Sequence, residues 1–352
     1  MGIPKSEGGH RYMGIPTVLD RLIQQAILEV LTPVFDPRFS DESYGFRPHR
    51  SAHRAEAKAQ SHIEERRGWV EDVHIERLLD KVRHDALMAG VARKIDDKVL
   101  LKPIRAYLKA GAMGEDKVSP PEMRTPQGGP LSPPPSNIYL DDLDRGLKRR
   151  GKSFARYADD CDVYVESERA GERVMEDITR FLQMRLNLRV NKEKSAVDRA
   201  SRRDFLSFRI VGGERTKRSI SPKARKRLRR RVKEIARRTR GVSLERVEAD
   251  LNAYPRGWIG HFGFCRTPSV PSDLDSWIRR GLRRFIWKQR KQGRTRYAGL
   301  RDRGPGKDLA AITAGSSRSP WRMIASPGMN FAFPNALFSE LGLIILEARY
   351  SA

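Results

Sequence analysis

Apolar residues near the start of the chain recur three and four positions apart, as they do along a helix. They fall at Leu22, Ile23, Ala26, Ile27, Val30 and Leu31. This spacing predicts a half-buried helix over residues 20–31, with Asp20 as its N-cap because a carboxylate there can accept from a first-turn amide. Before this helix, residues 1–5 and 11–15 are predicted to be extended segments about a turn at Gly8-Gly9.

The periodicity changes to that of strands in the middle of the chain. Residues 69–75 predict a strand that runs into a helix near Glu76. Residues 154–165 predict two short strands about a tight turn at Ala158-Asp159-Asp160, and residues 205–211 predict another strand. This part of the chain therefore combines short strands with amphipathic helices.

The last third of the chain is helical and basic. Ser221 and Pro222 form an N-cap and first-turn pair for a helix with a narrow apolar stripe at Leu228, Val232 and Ile235. A second basic helix is predicted from about Leu274. Its apolar residues Trp277, Ile278, Leu282, Phe285 and Ile286 are expected to face inward, and Arg279, Arg280, Arg283, Arg284 and Lys288 outward.

The charge of the chain indicates a polyanionic partner. The 352 residues include 70 Lys and Arg against 44 Asp and Glu, a formal net charge of +26. Between Ser201 and Arg240 there are 17 basic and only 3 acidic residues. Such an excess points to nucleic acid, although ribosomal or chromatin-type proteins share it, so charge alone gives a class of partner and no chemistry.

Cysteine content and hydropathy exclude several classes of protein. Cys161 and Cys265 are the only cysteines, which excludes a disulfide framework and a cysteine zinc cage. No signal peptide opens the chain, and no apolar run reaches the ~18 residues of a membrane span. We therefore expect a cytoplasmic protein with no membrane partner.

The strongest local chemical signal is the tetrapeptide Tyr157-Ala158-Asp159-Asp160 at the tip of the predicted hairpin. Two neighbouring carboxylates at a turn suit divalent cations, which polymerases use in pairs ~3.5–4 Å apart to activate the attacking oxygen and stabilise the leaving group. An ordinary Asp-rich turn is the alternative interpretation of the tetrapeptide taken alone.

The order of motifs along the chain resembles that of bacterial group II intron reverse transcriptases. Ile3-Pro4-Lys5 together with residues 11–16 is similar to the first motif of the polymerase fingers, and residues 43–53 are similar to the second. Residues 125–140, which precede the Asp-Asp hairpin, are similar to a third motif. Residues 191–195 and 205–208 are similar to two motifs that follow the hairpin. Residues 257–262, 277–280 and 287–289 resemble the maturase-specific region. Ordered matches across most of the chain make the resemblance specific.

The resemblance implies a fold, a division into domains and an activity. It implies an α+β right-hand polymerase with fingers over residues 1–67, a palm with an antiparallel sheet over 68–213, and a helical thumb or maturase domain over 214–352. The implied activity is RNA-directed DNA synthesis with Mg²⁺, from an RNA template, a DNA primer and dNTPs, together with binding of group II intron RNA. The oligomeric state is not implied.

The resemblance also assigns roles to individual residues. Asp159 would be the principal metal ligand and Asp160 the secondary one. Lys5 and Arg11 would hold the triphosphate, the Gln127-Gly128-Gly129 turn would approach the nucleotide, and Leu79 stands where an aromatic residue walls the sugar pocket. The residues that would contact primer or RNA are Phe205, Leu206, Lys194, Arg225, Arg229 and Lys233.

One position departs from the family at the metal site itself. The family has an aspartate, its third metal carboxylate, where this chain has His74. An imidazole is a poor ligand for Mg²⁺, although Mn²⁺ tolerates one better. Asp72 lies two residues earlier on the same face of the predicted strand, but two residues span ~6.6 Å, too far for the same coordination without a change of register.

Other departures fit a chain that has lost function. Pro134-Pro135 replaces apolar residues at the start of a helix, Ser207 replaces a glycine, and the extension that precedes the first fingers motif is missing, which indicates a truncated N-terminus. Two functions therefore stay open. The chain is either a reverse transcriptase of weak or lost activity or a non-catalytic, RNA-binding maturase, with a general nucleic-acid-binding protein as the more distant third.

Overall fold

The computed structural model describes residues 2–4, 10–12, 15–76, 78–110, 129–131, 133–212, 215–265, 267 and 269–350. Side chains are described from residue 15 onward in these ranges, except those of residues 79, 80, 110, 133 and 238. The chain divides into two compact units. The first comprises residues 1–206 and 210–216, and the second comprises residues 207–209 and 217–352.

The first unit is a mixture of strands and helices. Its strands are β1 (Gly2–Pro4), β2 (His10–Tyr12), β3 (Trp69–His74), β4 (Ser153–Tyr157), β5 (Asp160–Val165) and β6 (Ala196–Arg199). Its helices are α1 (Val18–Phe35), α2 (Ala52–Glu64), α3 (Leu78–Lys81), α4 (His84–Ala92), α5 (Lys98–Ala110), α6 (Pro133–Arg149) and α7 (Glu168–Leu186). The prediction of an α+β fold with an antiparallel palm sheet is confirmed.

A four-stranded antiparallel sheet forms the centre of this unit, in the order β4-β5-β3-β6. In the register of β3 with β5, Asp72 lies opposite Asp162 and His74 opposite Asp160. Because residues that face each other across a ladder point to the same side of the sheet, these four side chains share one face.

The two faces of the sheet pack against different helices. On the face of Val73, Cys161 and Val163, the sheet forms one hydrophobic core with α1, α4, α5, α6 and α7. On the other face, α2 packs Ala55 and Ala59 against a smaller core that includes strand residues. The four polar residues Asp72, His74, Asp160 and Asp162 therefore lie on the α2 side of the sheet.

Helix starts in the first unit differ in detail from the predictions. Helix α1 begins at Val18, and its N-cap is Thr17, whose Oγ1 accepts from the Asp20 amide at 3.1 Å. The prediction of Asp20 as N-cap was wrong because the Thr17 hydroxyl reaches that first-turn amide. Helix α6 begins at Pro133, so the prolines at 134 and 135 lie in the first turn, where no intrahelical amide donor is required.

The second unit is mostly helical within the described residues. Its helices are α8 (Pro222–Ile235), α9 (Leu244–Phe262), α10 (Ser269–Gln289), α11 (Gly293–Arg301), α12 (Lys307–Gly315), α13 (Pro320–Met323), α14 (Pro327–Ala332), α15 (Asn335–Glu340) and α16 (Leu346–Tyr350). Strands β7 (Phe208–Val211) and β8 (Lys217–Ile220) pair in a two-stranded sheet. No described helix is both long and apolar enough to cross a membrane.

The two basic helices of the second unit follow the sequence pattern, with one exception. Ser221 Oγ accepts from the Ala224 amide at 3.1 Å with Pro222 at the first helical position, which confirms the predicted cap. In α10 the predicted outward orientation of Arg283 was wrong, since the residue is buried. Its guanidinium donates to the Phe333 carbonyl at 2.9 Å and to Asn335 Oδ1 at 3.0 Å, contacts that a helical wheel does not reveal.

A buried histidine on α2 makes the stability of the first unit depend on pH. His62 Nε2 lies 3.3 Å from the Phe154 carbonyl oxygen, and burial, together with the charge of Lys58, lowers the pKa of His62 to about 4. The unfolded chain therefore binds a proton here before the folded chain does as the pH falls. The contribution of neutral His62 is complete above pH 6.5 and is lost as the pH falls toward 4.

We predict that His62→Gln removes this dependence. Between pH 6.5 and pH 4 the unaltered chain should lose about 3 kcal/mol more unfolding free energy than the variant. Urea titrations followed by circular dichroism across this range measure the difference. A difference between the two chains that stays constant with pH would contradict the prediction.

Candidate active site

The candidate site lies at the turn between β4 and β5. Tyr157 pairs with Asp160, so the connection is the two-residue turn Ala158-Asp159, with Ala158 at a φ of 59°. This left-handed conformation is uncommon for a residue with a Cβ and has to be supported by its surroundings. Asp159 is exposed at the tip, while Asp160 is the first residue of β5.

The fingers-type motif over residues 43–53 supports this turn directly. The Tyr44 amide donates to the Arg156 carbonyl at 2.8 Å, and the Arg156 amide donates to the Glu42 carbonyl at 2.8 Å. Gly45 lies so close to the turn that a Cβ there would be 2.4 Å from the Ala158 amide nitrogen. Glycine at position 45 is therefore required by the backbone that carries Asp159.

A fully buried arginine holds the turn from the other side. Arg156 donates through Nε and Nη2 to the two oxygens of Asp144 at 2.7 and 2.6 Å. Its remaining hydrogens go to Asn137 Oδ1 at 3.1 Å, the Ala158 carbonyl at 2.8 Å and Ser43 Oγ at 2.7 Å. All five guanidinium hydrogens are used, and they link motifs that are more than one hundred positions apart in sequence.

The residue opposite Asp160 is fixed by a second motif, residues 191–195. The amide of His74 donates to Ser195 Oγ at 2.8 Å, and the Asn191 amide donates to the His74 carbonyl at 2.8 Å. Both backbone groups of His74 are thus held at the end of β3. These bonds fix the position from which the imidazole extends, at the end of β3 beside the Asp159-Asp160 turn.

The imidazole of His74 bridges two carboxylates. Its Nδ1 lies 2.9 Å from Asp160 Oδ1, and its Nε2 lies 3.0 Å from Asp72 Oδ1. Ionised carboxylates only accept hydrogen bonds, so both ring nitrogens must carry a proton, and the side chain is an imidazolium. In agreement, the hydrogen bonds to Asp160 and then Asp72 raise the pKa of His74 to about 10, against the opposing effect of burial.

Asp72 has a second cationic partner. Arg203 donates to Asp72 Oδ2 through Nη2 at 2.6 Å and through Nε at 3.1 Å. Burial alone would raise the pKa of Asp72, but the hydrogen bonds from His74 and Arg203 hold it below its usual range. Both oxygens of the residue considered as a substitute metal ligand are therefore engaged by cations.

Two further carboxyl groups in the sheet lie close by in sequence but do not extend the site. Asp162 is buried opposite Asp72, and burial raises the pKa of Asp162 well above its ordinary range. Glu71 points to the opposite face of the sheet, where burial raises its pKa to about 9. Burial therefore disfavours the charged form of both groups.

The residues present do not fit a two-metal centre. Where the resemblance implies a third carboxylate, the structure has the cation His74, which uses an oxygen of Asp160 as well as one of Asp72. Among the residues that the structure describes, no group of three or more His, Cys, Asp or Glu side chains is arranged to hold a metal ion. The arrangement is an ion-pair network of two carboxylates, one imidazolium and one guanidinium.

Most residues assigned to the nucleotide lie outside the described part of the chain. This holds for Lys5, Gln127 and Gly128, and for the side chains of Arg11 and Leu79. Gly129 is described and lies against α1, where a Cβ would be 2.2 Å from Gln24 Oε1. A side chain at position 129 would displace the amide of Gln24, whose Oε1 accepts from the Leu131 amide at 3.4 Å.

The residues assigned to the primer are mixed in their exposure. Phe205 is buried in the α2-side core, and Leu206 packs against it. Leu206 and Ser207 have positive φ angles of 50° and 74°, so Ser207 has a backbone conformation that favours the glycine that the resemblance implies there. The Lys194 carbonyl accepts from Arg203 Nη2 at 2.8 Å, which connects this motif to the ion-pair network.

The three basic residues singled out on α8 lie along one helix of the second unit. Arg229 and Lys233 are exposed, and the Arg229 guanidinium lies 5.8 Å from the centre of the Trp277 ring. Arg225 is half-buried, and its Nε has no hydrogen-bond partner among the described residues. Phosphate groups can reach this side of the helix.

Arg156, Asp144 and Arg203 were missed by the sequence reasoning. A signal for the first pair exists, because Arg156 interrupts an apolar strand and Asp144 lies on the apolar stripe of α6 beside Leu140, Leu143 and Leu147. A charge at each of two buried positions implies that the two are paired. Arg203 carries no comparable signal, since it is one of many basic residues in its segment.

Comparison with known families gives two matches. A family model described as "Reverse transcriptase (RNA-dependent DNA polymerase)" matches residues 3–210, which is more than half of the chain. A model described as "Group II intron, maturase-specific domain" matches residues 225–304. The two matches follow each other in the order that the sequence motifs predict.

Similar proteins include several with names that refer to introns. Protein YkfC of Escherichia coli is 31% identical over an alignment of 233 positions that covers 55% of this chain and 61% of that protein. The group II intron-encoded protein LtrA of Lactococcus lactis is 37% identical over 146 residues, 42% of this chain and 24% of that protein. The chain thus spans less than two thirds of either relative.

Among solved structures, a Candida tropicalis telomerase in complex with a fragment of telomeric RNA is similar over 97% of this chain and 59% of that chain. The sequence identity is 12% and the TM-score is 0.48.

Proposed function

Because this chain belongs to the group II intron reverse transcriptase and maturase family, we propose that it binds intron RNA as a maturase and polymerises DNA weakly or not at all. The observation that carries this proposal is the bridge of His74 between Asp72 and Asp160. RNA template, DNA primer and dNTPs are substrates of the family's polymerase reaction, and this chain would use them poorly.

The ion-pair network opposes metal binding by its charge. A dication ~4 Å from a unit positive charge is repelled by about 8 kcal/mol at an effective dielectric constant near 20. The imidazolium of His74 is within hydrogen-bond distance of Asp160, so a cation bound at Asp160 would be about this close to it. Mg²⁺ binding therefore requires that His74 leave or lose its proton, and Mn²⁺ would be the more tolerant ion.

Asp72 is a poor replacement for the missing carboxylate. To ligate a metal next to Asp159 it would have to give up its hydrogen bonds with both His74 and Arg203. Breaking a partly buried ion pair leaves charges without partners, which is strongly unfavourable. A weak, manganese-dependent polymerase that uses Asp72 is the second candidate function, and it rests on the position of Asp72 on the same face of β3.

RNA binding does not need the metal site. The exposed basic side of α8 presents cations to solvent on a helix that is anchored by Leu228, Val232 and Ile235. Lys and Arg that neutralise phosphates release counterions, so affinity then falls steeply with salt. A maturase of this kind keeps its RNA contacts when the polymerase chemistry is lost.

We predict that the affinity of the chain for a structured group II intron RNA falls steeply as the salt concentration rises. Changing Arg225, Arg229 and Lys233 to alanine should reduce the log–log salt slope by about 2 to 3, at about 0.7 to 0.9 per phosphate contact. Filter binding at several salt concentrations measures the slope. Primer extension on an RNA template, in the same preparation, shows whether binding persists without polymerisation.

The matched control changes three basic residues outside the segment matched by the maturase model. Arg318, Arg322 and Arg349 are exposed, and their replacement by alanine removes the same charge. An equal fall in slope for both triple variants would exclude a specific role of α8. Affinity that does not depend on salt, or rapid primer extension by the unaltered chain, would overturn the proposed function.

A further inference from the structure

A large groove lies in the first unit, away from the ion-pair network. Its volume is about 820 Å³, and residues of α1, α4, α6 and α7, with those just after α1 and α4, line it. No strand residue contributes to it. We call it the helix-side groove, because its helices pack on the face of the sheet that carries Val73 and Cys161, opposite to His74 and Asp160.

The floor of the helix-side groove is apolar and aromatic. Phe35, Phe39, Tyr139 and Phe181 line it, and the rings of Phe35 and Phe39 are stacked with centroids 6.5 Å apart. Gly90 contributes a position without a side chain. Phe35 and Tyr139 are buried, but Phe39 and Phe181 are half-buried. Part of these two rings is therefore left for a flat ring to stack on, as in RNA-binding proteins that hold unpaired bases.

The rim of the groove is mainly basic, with one exposed carboxylate, Asp142. Six basic residues line it: Arg38, Arg93, Lys94, Arg145, Arg149 and Arg185. Arg145 pairs with Asp141 at 2.7 Å, whereas the other five form no ion pair with any acidic side chain that the structure describes. Five cations around one opening repel each other, and a polyanion in the groove would relieve that repulsion.

One buried acceptor adds a polar element to the groove. Asp141 Oδ2 accepts from Arg145, but Asp141 Oδ1 is buried and has no hydrogen-bond partner among the described residues. Burial raises the pKa of Asp141 above its usual value. A buried acceptor beside an aromatic floor suits the N–H edge of a nucleobase, which would supply the missing hydrogen.

We infer that the helix-side groove binds a single-stranded segment of RNA, with an unpaired base on the aromatic floor and phosphates along the basic rim. This inference rests on the proposed RNA-binding function and adds a second contact to it, separate from α8. A free nucleotide offers the same phosphate and base chemistry. RNA fits better because the groove is open to solvent and its cations come from four separate segments of the chain.

The test is binding of a short, fluorescently labelled single-stranded RNA of mixed sequence. Arg93→Glu with Arg149→Glu should weaken binding by about tenfold or more, since two attractions to phosphate become repulsions. Arg169→Glu with Arg173→Glu is the matched control, because both residues are exposed on α7 and neither lines the groove. The control should change affinity by about twofold or less.

Photocrosslinking of the unaltered chain gives a second readout that does not depend on the folding of a variant. With 4-thiouridine in the same RNA, we expect adducts on peptides that contain Phe39, Tyr139 or Phe181. Equal affinities for the groove and control variants, adducts confined to other peptides, or binding of nucleoside triphosphates in place of RNA would each overturn the inference.

The failure of this inference can be distinguished from that of the proposed function. If the unaltered chain binds RNA and only the α8 variant loses affinity, the groove inference fails and the maturase proposal stands. If the unaltered chain binds no RNA in any form, both fail.

Discussion

Replacing His74 with aspartate is expected to raise RNA-templated primer extension with Mg²⁺ by about a hundredfold or more. Each factor of ten in rate corresponds to ~1.4 kcal/mol of transition-state stabilisation. The substitution removes the imidazolium that now binds Asp160 and adds a carboxylate at the same position of β3. Both changes favour a divalent cation beside Asp159 and Asp160. Recovery should remain incomplete, because Ser207 and Leu79 stand where the resemblance implies a glycine and an aromatic residue.

Two further variants separate the causes. His74→Asn removes the positive charge without adding a ligand, so it should restore much less activity than His74→Asp. Combining His74→Asp with Asp159→Asn should abolish the gain, since the amide keeps the shape of the side chain and loses its charge. If the unaltered chain extends primers at a rate that His74→Asp does not raise, the proposed role of His74 is wrong and Asp72 becomes the best candidate for the working ligand.

The second large effect is expected at the buried arginine under the turn. Arg156→Gln should lower the free energy of unfolding of the first unit by about 3 to 5 kcal/mol, as is typical when one partner of a buried ion pair is removed. The side chains of Arg156 and Asp144 are both fully buried, so Asp144 would be left without a charged partner. The Ala158 carbonyl would also lose its donor.

A surface ion pair in the first unit provides the control. Arg105 on α5 pairs with Asp85, and the two side chains are 50% and 81% exposed. Arg105→Gln should therefore cost about 1 kcal/mol or less. Denaturant titrations of both variants measure the two free energies, and similar losses would show that the Arg156 network does not support the fold as described.

Much of the local structure could be predicted because it depends on short-range rules. The cap at Ser221 with Pro222 and the hairpin around Ala158 follow from residue types at adjacent positions. Where a rule had two candidates, the prediction could fail. Thr17 and Asp20 are both good N-caps, and only the path of the backbone decides that the threonine hydroxyl reaches the amide.

The ion-pair network could not be predicted in the same way. From the sequence, His74 stands where a carboxylate is expected, and Asp72 supplies a carboxylate two positions earlier in the same strand. The structure shows that the imidazole spans this interval, because the register of β3 with β5 places His74 opposite Asp160 while Asp72 remains within reach of Nε2. Register between strands depends on long-range pairing, and so does the arrival of Arg203 at Asp72.

The central claim is that His74 prevents metal binding at Asp159 and Asp160. The most direct test is Mn²⁺ binding followed by electron paramagnetic resonance, without nucleic acid. The account predicts no saturable Mn²⁺ site that depends on Asp159 in the unaltered chain and the appearance of such a site in His74→Asp. An Mn²⁺ site in the unaltered chain that is lost in Asp159→Asn and is not tightened by His74→Asp would contradict it.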